Sequence, residues 1–132
     1  MKNLLLIISI LISTIVFSQS KKKIRENGYT TKTIYKSEYR AGKEKKVKVS
    51  ETTFNKNGDI AELKEFDEFG KIKKHILFSY DDKKNKTKEI YYTPSGKIKK
   101  TVKYKYNNGF KIEKAIYDGN GKIKSKKTYV YK

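Results

Sequence analysis

From Tyr29 to the end of the chain, apolar and polar residues alternate with a period of two, the mark of strands that turn one face away from solvent. In Lys97–Tyr106 one set is Ile98, Val102, Tyr104 and Tyr106, and the other is Lys97, Lys99, Thr101, Lys103 and Lys105. A second pattern punctuates the first. The motif aromatic-x-x-x-Gly-Lys/Asp-Ile begins at Phe54, Phe66, Tyr92 and Tyr117, with steps of 12, 26 and 25 residues. Degenerate copies begin at Tyr80 and Tyr106. A unit of this length leaves roughly 7–9 residues per strand, within the usual range. The pattern predicts an all-β domain over 28–132: about eight antiparallel strands in up-and-down order, built from tandem hairpins as a curved single sheet or a partly closed barrel. No segment beyond residue 18 has a helical period.

The turn chemistry supports that reading. Asp118-Gly119-Asn120-Gly121-Lys122 and Thr93-Pro94-Ser95-Gly96-Lys97 fit a type I turn followed by a left-handed residue and a bulge. Asp or Thr at the first position can accept hydrogen bonds from the turn backbone, and glycine takes the left-handed angle without steric cost. Gly58, Gly70, Gly96, Gly109 and Gly121 are the expected turn glycines. Ala41-Gly42-Lys43 is a further turn. The aromatic four residues before each motif glycine and the isoleucine two after it should meet across the hairpin. Aligned on Gly70, Gly96 and Gly121, the sets Ile72/Phe78/Tyr80, Ile98/Tyr104/Tyr106 and Ile123/Tyr129/Tyr131 are expected on one face of one sheet.

The N-terminus departs from this grammar. Residues 1–18 look like a secretory signal peptide: Lys2, then an uncharged, largely apolar run of 14 residues from Leu4 to Phe17, short for a membrane span. Val16 and Ser18 stand at the −3 and −1 positions of a cleavage site that leaves Gln19 first; cleavage after Ser20 and an uncleaved anchor helix are the alternatives. Residues 19–27 read as a basic flexible arm. The expected location is periplasmic or extracellular, and the absence of cysteine excludes a lipoprotein, disulfides and thiol chemistry.

Charge is the other strong signal. The 132-residue chain carries 33 Lys and Arg against 14 Asp and Glu, a net charge of +19. Such a field favours polyanionic surroundings, though lysines also solvate and protect sheets. Arginine occurs only at Arg25 and Arg40, which disfavours specific nucleic-acid readout, since that leans on bidentate guanidinium contacts.

The run Tyr104–Tyr131 resembles the YD repeats of Rhs-type bacterial surface and toxin proteins. The matching positions are Tyr117, Asp118, Gly121, Lys122 and Ile123, with Tyr129 and Tyr131 at the strand end; Phe66, Asp67, Gly70, Lys71 and Ile72 match more weakly. The chain is also similar to MORN-like tandem hairpins of small exported proteins and of YwqK-type antitoxins, over about residues 54–132. The resemblance implies a β-repeat fold and an exported bacterial setting. It carries no toxin or cleavage module.

Candidate chemistry is sparse. The single histidine, His75, falls on the face opposite Ile72, Ile76 and Phe78, with no partners for a metal site or triad in the sequence. Glu62, Glu65, Glu89 and Glu113 sit near lysines, as cross-strand ion pairs would require. Asp118-Gly119-Asn120-Gly121 lacks the closing acid of a calcium loop. No catalytic residue, metal site or cofactor is expected. The candidate binding face is Tyr80, Tyr104, Tyr106, Tyr129 and Tyr131, since aromatics flanked by lysines can serve as a platform for sugars or other ligands; their phase equally suits the apolar face of a small core, where tyrosine replaces scarce aliphatic residues. The function that follows is an exported, non-catalytic interaction module for an anionic polysaccharide, a lipid headgroup or a protein partner. The alternatives are a self-assembling envelope component, as a homo-oligomer, or an antitoxin- or immunity-like protein.

Overall fold

The structure is a computed structural model that describes residues 20–132. The expected signal segment and its cleavage site lie outside the described residues. Eight strands follow: β1 (Thr31–Arg40), β2 (Lys43–Phe54), β3 (Ile60–Phe66), β4 (Ile72–Tyr80), β5 (Lys86–Tyr92), β6 (Ile98–Asn107), β7 (Phe110–Asp118) and β8 (Ile123–Thr128). All pairings are antiparallel between consecutive strands, in one sheet of order β1 to β8. The sheet is therefore open, with β1 and β8 as edges, and not a closed barrel.

The arm expected at 19–27 is not irregular throughout. Residues 20–26 form a short helix, α1, closed by an Asn27 Nδ2 hydrogen bond to the Lys23 carbonyl. Only Ile24 in this segment is strongly apolar, so periodicity gave no sign of it. Lys21 forms an ion pair with the buried Asp59. A Cβ on Gly58 would come within 2.7 Å of the Lys21 carbonyl oxygen, so this turn and the helix approach backbone to backbone.

Turns closing β2–β3, β3–β4, β4–β5, β5–β6 and β7–β8 share one hydrogen-bond plan. In 118–122 the Gly121 amide donates to the Asp118 carbonyl, the Asp118 amide donates to the Lys122 carbonyl, and Asp118 Oδ1 accepts from the Asn120 and Lys122 amides. Asn55, Asp67 and Asp81 repeat this, and Thr93 Oγ1 accepts from the Lys97 amide. All five expected turn glycines have positive φ. The turn 81–85 differs: its left-handed position is held by Lys84, φ 65°.

The aromatic–isoleucine pairs Phe54–Ile60, Phe66–Ile72, Tyr92–Ile98 and Tyr117–Ile123 are direct register partners. Each coincides with a register shift, and this corrects the expected phase. Tyr91 pairs with Lys100 but Tyr92 pairs with Ile98, leaving Lys99 as an extra residue. A bulge of this kind advances side-chain phase by one. Ile98 consequently stands beside Tyr92, on the opposite face from Val102 and Tyr104. Ile72 and Ile123 follow the same rule.

Both faces thus carry apolar residues. One face, here the first, has the row Thr52–Leu63–Ile76–Tyr91–Lys100 and the row Phe78–Glu89–Val102–Ile116. The second has His75 beside Tyr92, and Ser79–Lys88–Lys103–Ala115–Lys126. Burial is thin: among the described residues, the buried apolar ones are Ile76, Val102 and Ala115. Among the described residues, α1 is the only element lying outside the sheet.

Candidate binding face

The strand-end tyrosines serve first as braces. Tyr80 donates its hydroxyl to the Ile60 carbonyl, Tyr106 to that of Lys86 and Tyr131 to that of Lys111, each at 2.8 Å and each spanning 20 residues. The three bonds close the open ends of the β3–β4, β5–β6 and β7–β8 hairpins, so the 26- and 25-residue sequence steps become a repeated physical joint. Burial, with the negative charges of Asp59 and Glu89, pushes the Tyr80 phenol up to about 12.

Tyr104 occupies the middle of the first face, next to a carboxylate. Glu89, on β5, is 6% exposed. Its Oε2 accepts from the Tyr91 hydroxyl at 2.8 Å and its Oε1 from the Tyr104 hydroxyl at 3.2 Å, while Lys86 Nζ forms an ion pair at 2.5 Å. A buried carboxylate is tolerated only when its oxygens are satisfied in this way. Burial acts to raise the Glu89 pKa, but the three donors outweigh it and hold the group below the usual carboxylate range. The same arrangement raises the phenols: Tyr91 to about 12, by burial and then its bond to Glu89, and Tyr104 further still, by burial and the Glu89 charge.

Lysines cover the rings. Lys100 Nζ stands 4.3 Å from the centre of the Tyr91 ring, and Lys111 and Lys114 stand 4.7 and 5.9 Å from that of Tyr104. None of these three ammonium groups has a carboxylate partner among the described residues. Cation–π contacts of this sort hold an ammonium in place for about 0.5–1 kcal/mol at exposed sites, without neutralising it. The face therefore presents positioned positive charge, and its aromatic surface is partly covered. The lysine caps were not legible in the sequence, because their partners lie across strands.

Of the candidate residues, Tyr80, Tyr104 and Tyr106 share the first face, with Tyr106 next to Lys111 in the register. Tyr129 and Tyr131 lie past the end of β8; the Tyr129 amide donates to the Ile112 carbonyl, and the Tyr131 ring packs against Phe110 at 5.1 Å. His75, expected on the face opposite Ile76 and Phe78, lies there and is half-buried: it bonds Glu62 at 2.7 Å and stacks on Tyr92 at 4.8 Å. Among the described residues, no group of three acidic, histidine or cysteine side chains converges as a metal site would require, and no helix is long and apolar enough to cross a membrane.

No family model matches the chain, and no curated protein matches it. Among solved structures, it is similar to a porin-like protein from Bacteroides uniformis, with 14% identity and a TM-score of 0.39, over 67% of this chain and 48% of that one. The chain spans about half the length of that protein.

Proposed function

We propose that this chain is an exported, non-catalytic β-sheet module that binds an anionic polymer, an acidic polysaccharide of the cell envelope being the class the chemistry favours. The observation that carries the reading is the set Lys100, Lys111 and Lys114, fixed over Tyr91 and Tyr104 with no carboxylate partner among the described residues, in a chain of net charge +19. Ordered ammonium groups spread over adjacent strands suit a ligand with repeated negative charge. Lysine, as a compact point charge, suits it better than a ligand requiring bidentate recognition. Export rests on the character of residues 1–18, and the YD- and MORN-like repeats are consistent with an exported setting.

The test is retention of the full chain on beads carrying a carboxylated or sulfated polysaccharide. Lys100→Gln/Lys111→Gln/Lys114→Gln should elute at clearly lower salt than wild type. Lys73→Gln/Lys83→Gln/Lys99→Gln, with the same net charge, should elute later than the first triple. Co-elution of the two triples would leave only bulk charge and refute a specific face.

A second reading, self-assembly through edges, draws support from the unpaired outer sides of β1 and β8 and from Tyr35 and Tyr39, 60% and 71% exposed on β1. Lysines along both edges oppose it. Light scattering at high concentration separates the two: a stable monomer removes assembly as the function.

A further inference from the structure

One turn breaks the rule that the others keep. Gly58, Gly70, Gly96 and Gly121 hold the left-handed position in four of the five related turns, with φ between 78° and 87°. The fifth has Lys84 there, at φ 65°. A side chain in that conformation is disfavoured, and strain of this kind concentrates where a side chain has a task. The Lys84 side chain lines a cavity of about 510 Å³ between α1 and the first face of the sheet.

The cavity has a divided character. Its apolar walls are Ile24 from α1, Phe54 and Ile60 paired across β2–β3, and Phe78 from β4. Its charged lining includes Lys21, Lys32, Lys84, Lys86 and Asp59. Lys21 is taken up by Asp59, and Lys86 by Glu89. Lys32 and Lys84 have no carboxylate partner among the described residues. Two uncompensated ammonium groups therefore border a pocket whose walls are aliphatic and aromatic. Its volume is in the range of small-molecule sites, which combine apolar walls with a few polar groups.

We propose that this cavity binds an amphipathic monoanion, an acyl carboxylate, with its head at Lys84 and Lys32 and its chain over Phe54, Ile60, Phe78 and Ile24. The site adjoins the lysine-capped part of the same face through Lys86, which lines the cavity and stands 5.7 Å from the Tyr104 ring. Lys84 and Lys32 take no part in capping the Tyr91 and Tyr104 rings, so variants at these two positions test it independently of the polymer reading. The ligand gains by removing its chain from water, and the two lysines select a charged head over a neutral one.

Lys84→Gly gives a test in which folding and binding move apart. Glycine suits the left-handed angle, so the variant should melt at the wild-type temperature or above. Dodecanoate, used below its micellar concentration and followed by titration calorimetry on the full chain, should bind wild type saturably at one site. Dodecanol should bind at least tenfold more weakly, and Lys84→Gly should bind dodecanoate about tenfold more weakly. Lys99→Ala, remote from the cavity, should bind as wild type does. If Lys84→Gly proves unstable, Lys32→Gln takes its place with the same expected loss. Absence of saturable binding, equal affinity for the alcohol, or undiminished affinity in the pocket variant would overturn the proposal.

Discussion

At the scale of single residues, tyrosine has three roles here, and the hydroxyl partner separates them. Tyr80, Tyr106 and Tyr131 brace backbone carbonyls, Tyr91 and Tyr104 secure Glu89, and Tyr35 and Tyr39 are exposed on the β1 edge. Periodic spacing made the strand-end tyrosines legible as a repeated set. It gave no sign that three of them spend their hydroxyls on the scaffold, because the accepting carbonyl lies 20 residues back on a neighbouring strand. Tyr106→Phe should therefore lower stability by about 0.5–1.5 kcal/mol, the usual net worth of one hydrogen bond, measurable by urea denaturation.

The Glu89 cluster makes stability depend on pH at both ends. Glu89 has a lowered pKa in the folded state, so its contribution is fully present above its unfolded value near 4.5 and fades as pH falls through the folded one. Tyr80 and Tyr91 are raised from 10.0 to about 12, so the stability they confer is present below pH 10 and is lost as pH climbs toward 12. Glu89→Gln should flatten the acid limb and lower the tyrosinate midpoints of Tyr91 and Tyr104, followed by ultraviolet absorbance.

At the scale of elements, the hairpin is the repeating part, and its turn is the best-determined piece. The order Asp-x-x-Gly-Lys specifies its own hydrogen bonds locally, so the turns and the four aromatic–isoleucine pairs were readable from sequence. The face taken by Ile72, Ile98 and Ile123 was not: a bulge inserts one residue without disturbing the written alternation, and only the pairing partner reveals the phase. The helix at 20–26 escaped for a different reason, since its docking depends on Asp59 and on the absence of a side chain at Gly58. Turn glycines are also unequal. At Gly119 a Cβ would collide with the Ile98 backbone carbonyl, whereas at Gly70 nothing lies within 4 Å and only the φ of 78° resists substitution. Gly119→Ala should thus cost about 1–3 kcal/mol, as overpacking does, and more than Gly70→Ala does in the same urea assay.

At the scale of the whole molecule, an open sheet in which only consecutive strands touch behaves as a one-dimensional array. Its buried apolar residues, Ile76, Val102 and Ala115, lie on β4, β6 and β7, so the middle should hold longest. Amide hydrogen exchange should show greatest protection in β4–β7 and least in β1 and β8, where β8 is exposed along its whole length. Uniform protection across all eight strands would mean that a further layer covers the sheet. The same thinness leaves both faces available to ligands, and the charge of +19 determines which ligands approach.

The most direct test of that account is the salt dependence of affinity for a size-defined acidic oligosaccharide, compared between wild type and Lys100→Gln/Lys111→Gln/Lys114→Gln. Each ammonium group that releases a counterion on binding steepens the slope of log affinity against log salt by up to about 1. The account predicts a steep negative slope for wild type, shallower by about 2–3 in the triple variant. Affinity independent of salt, or identical slopes for the two proteins, would contradict it.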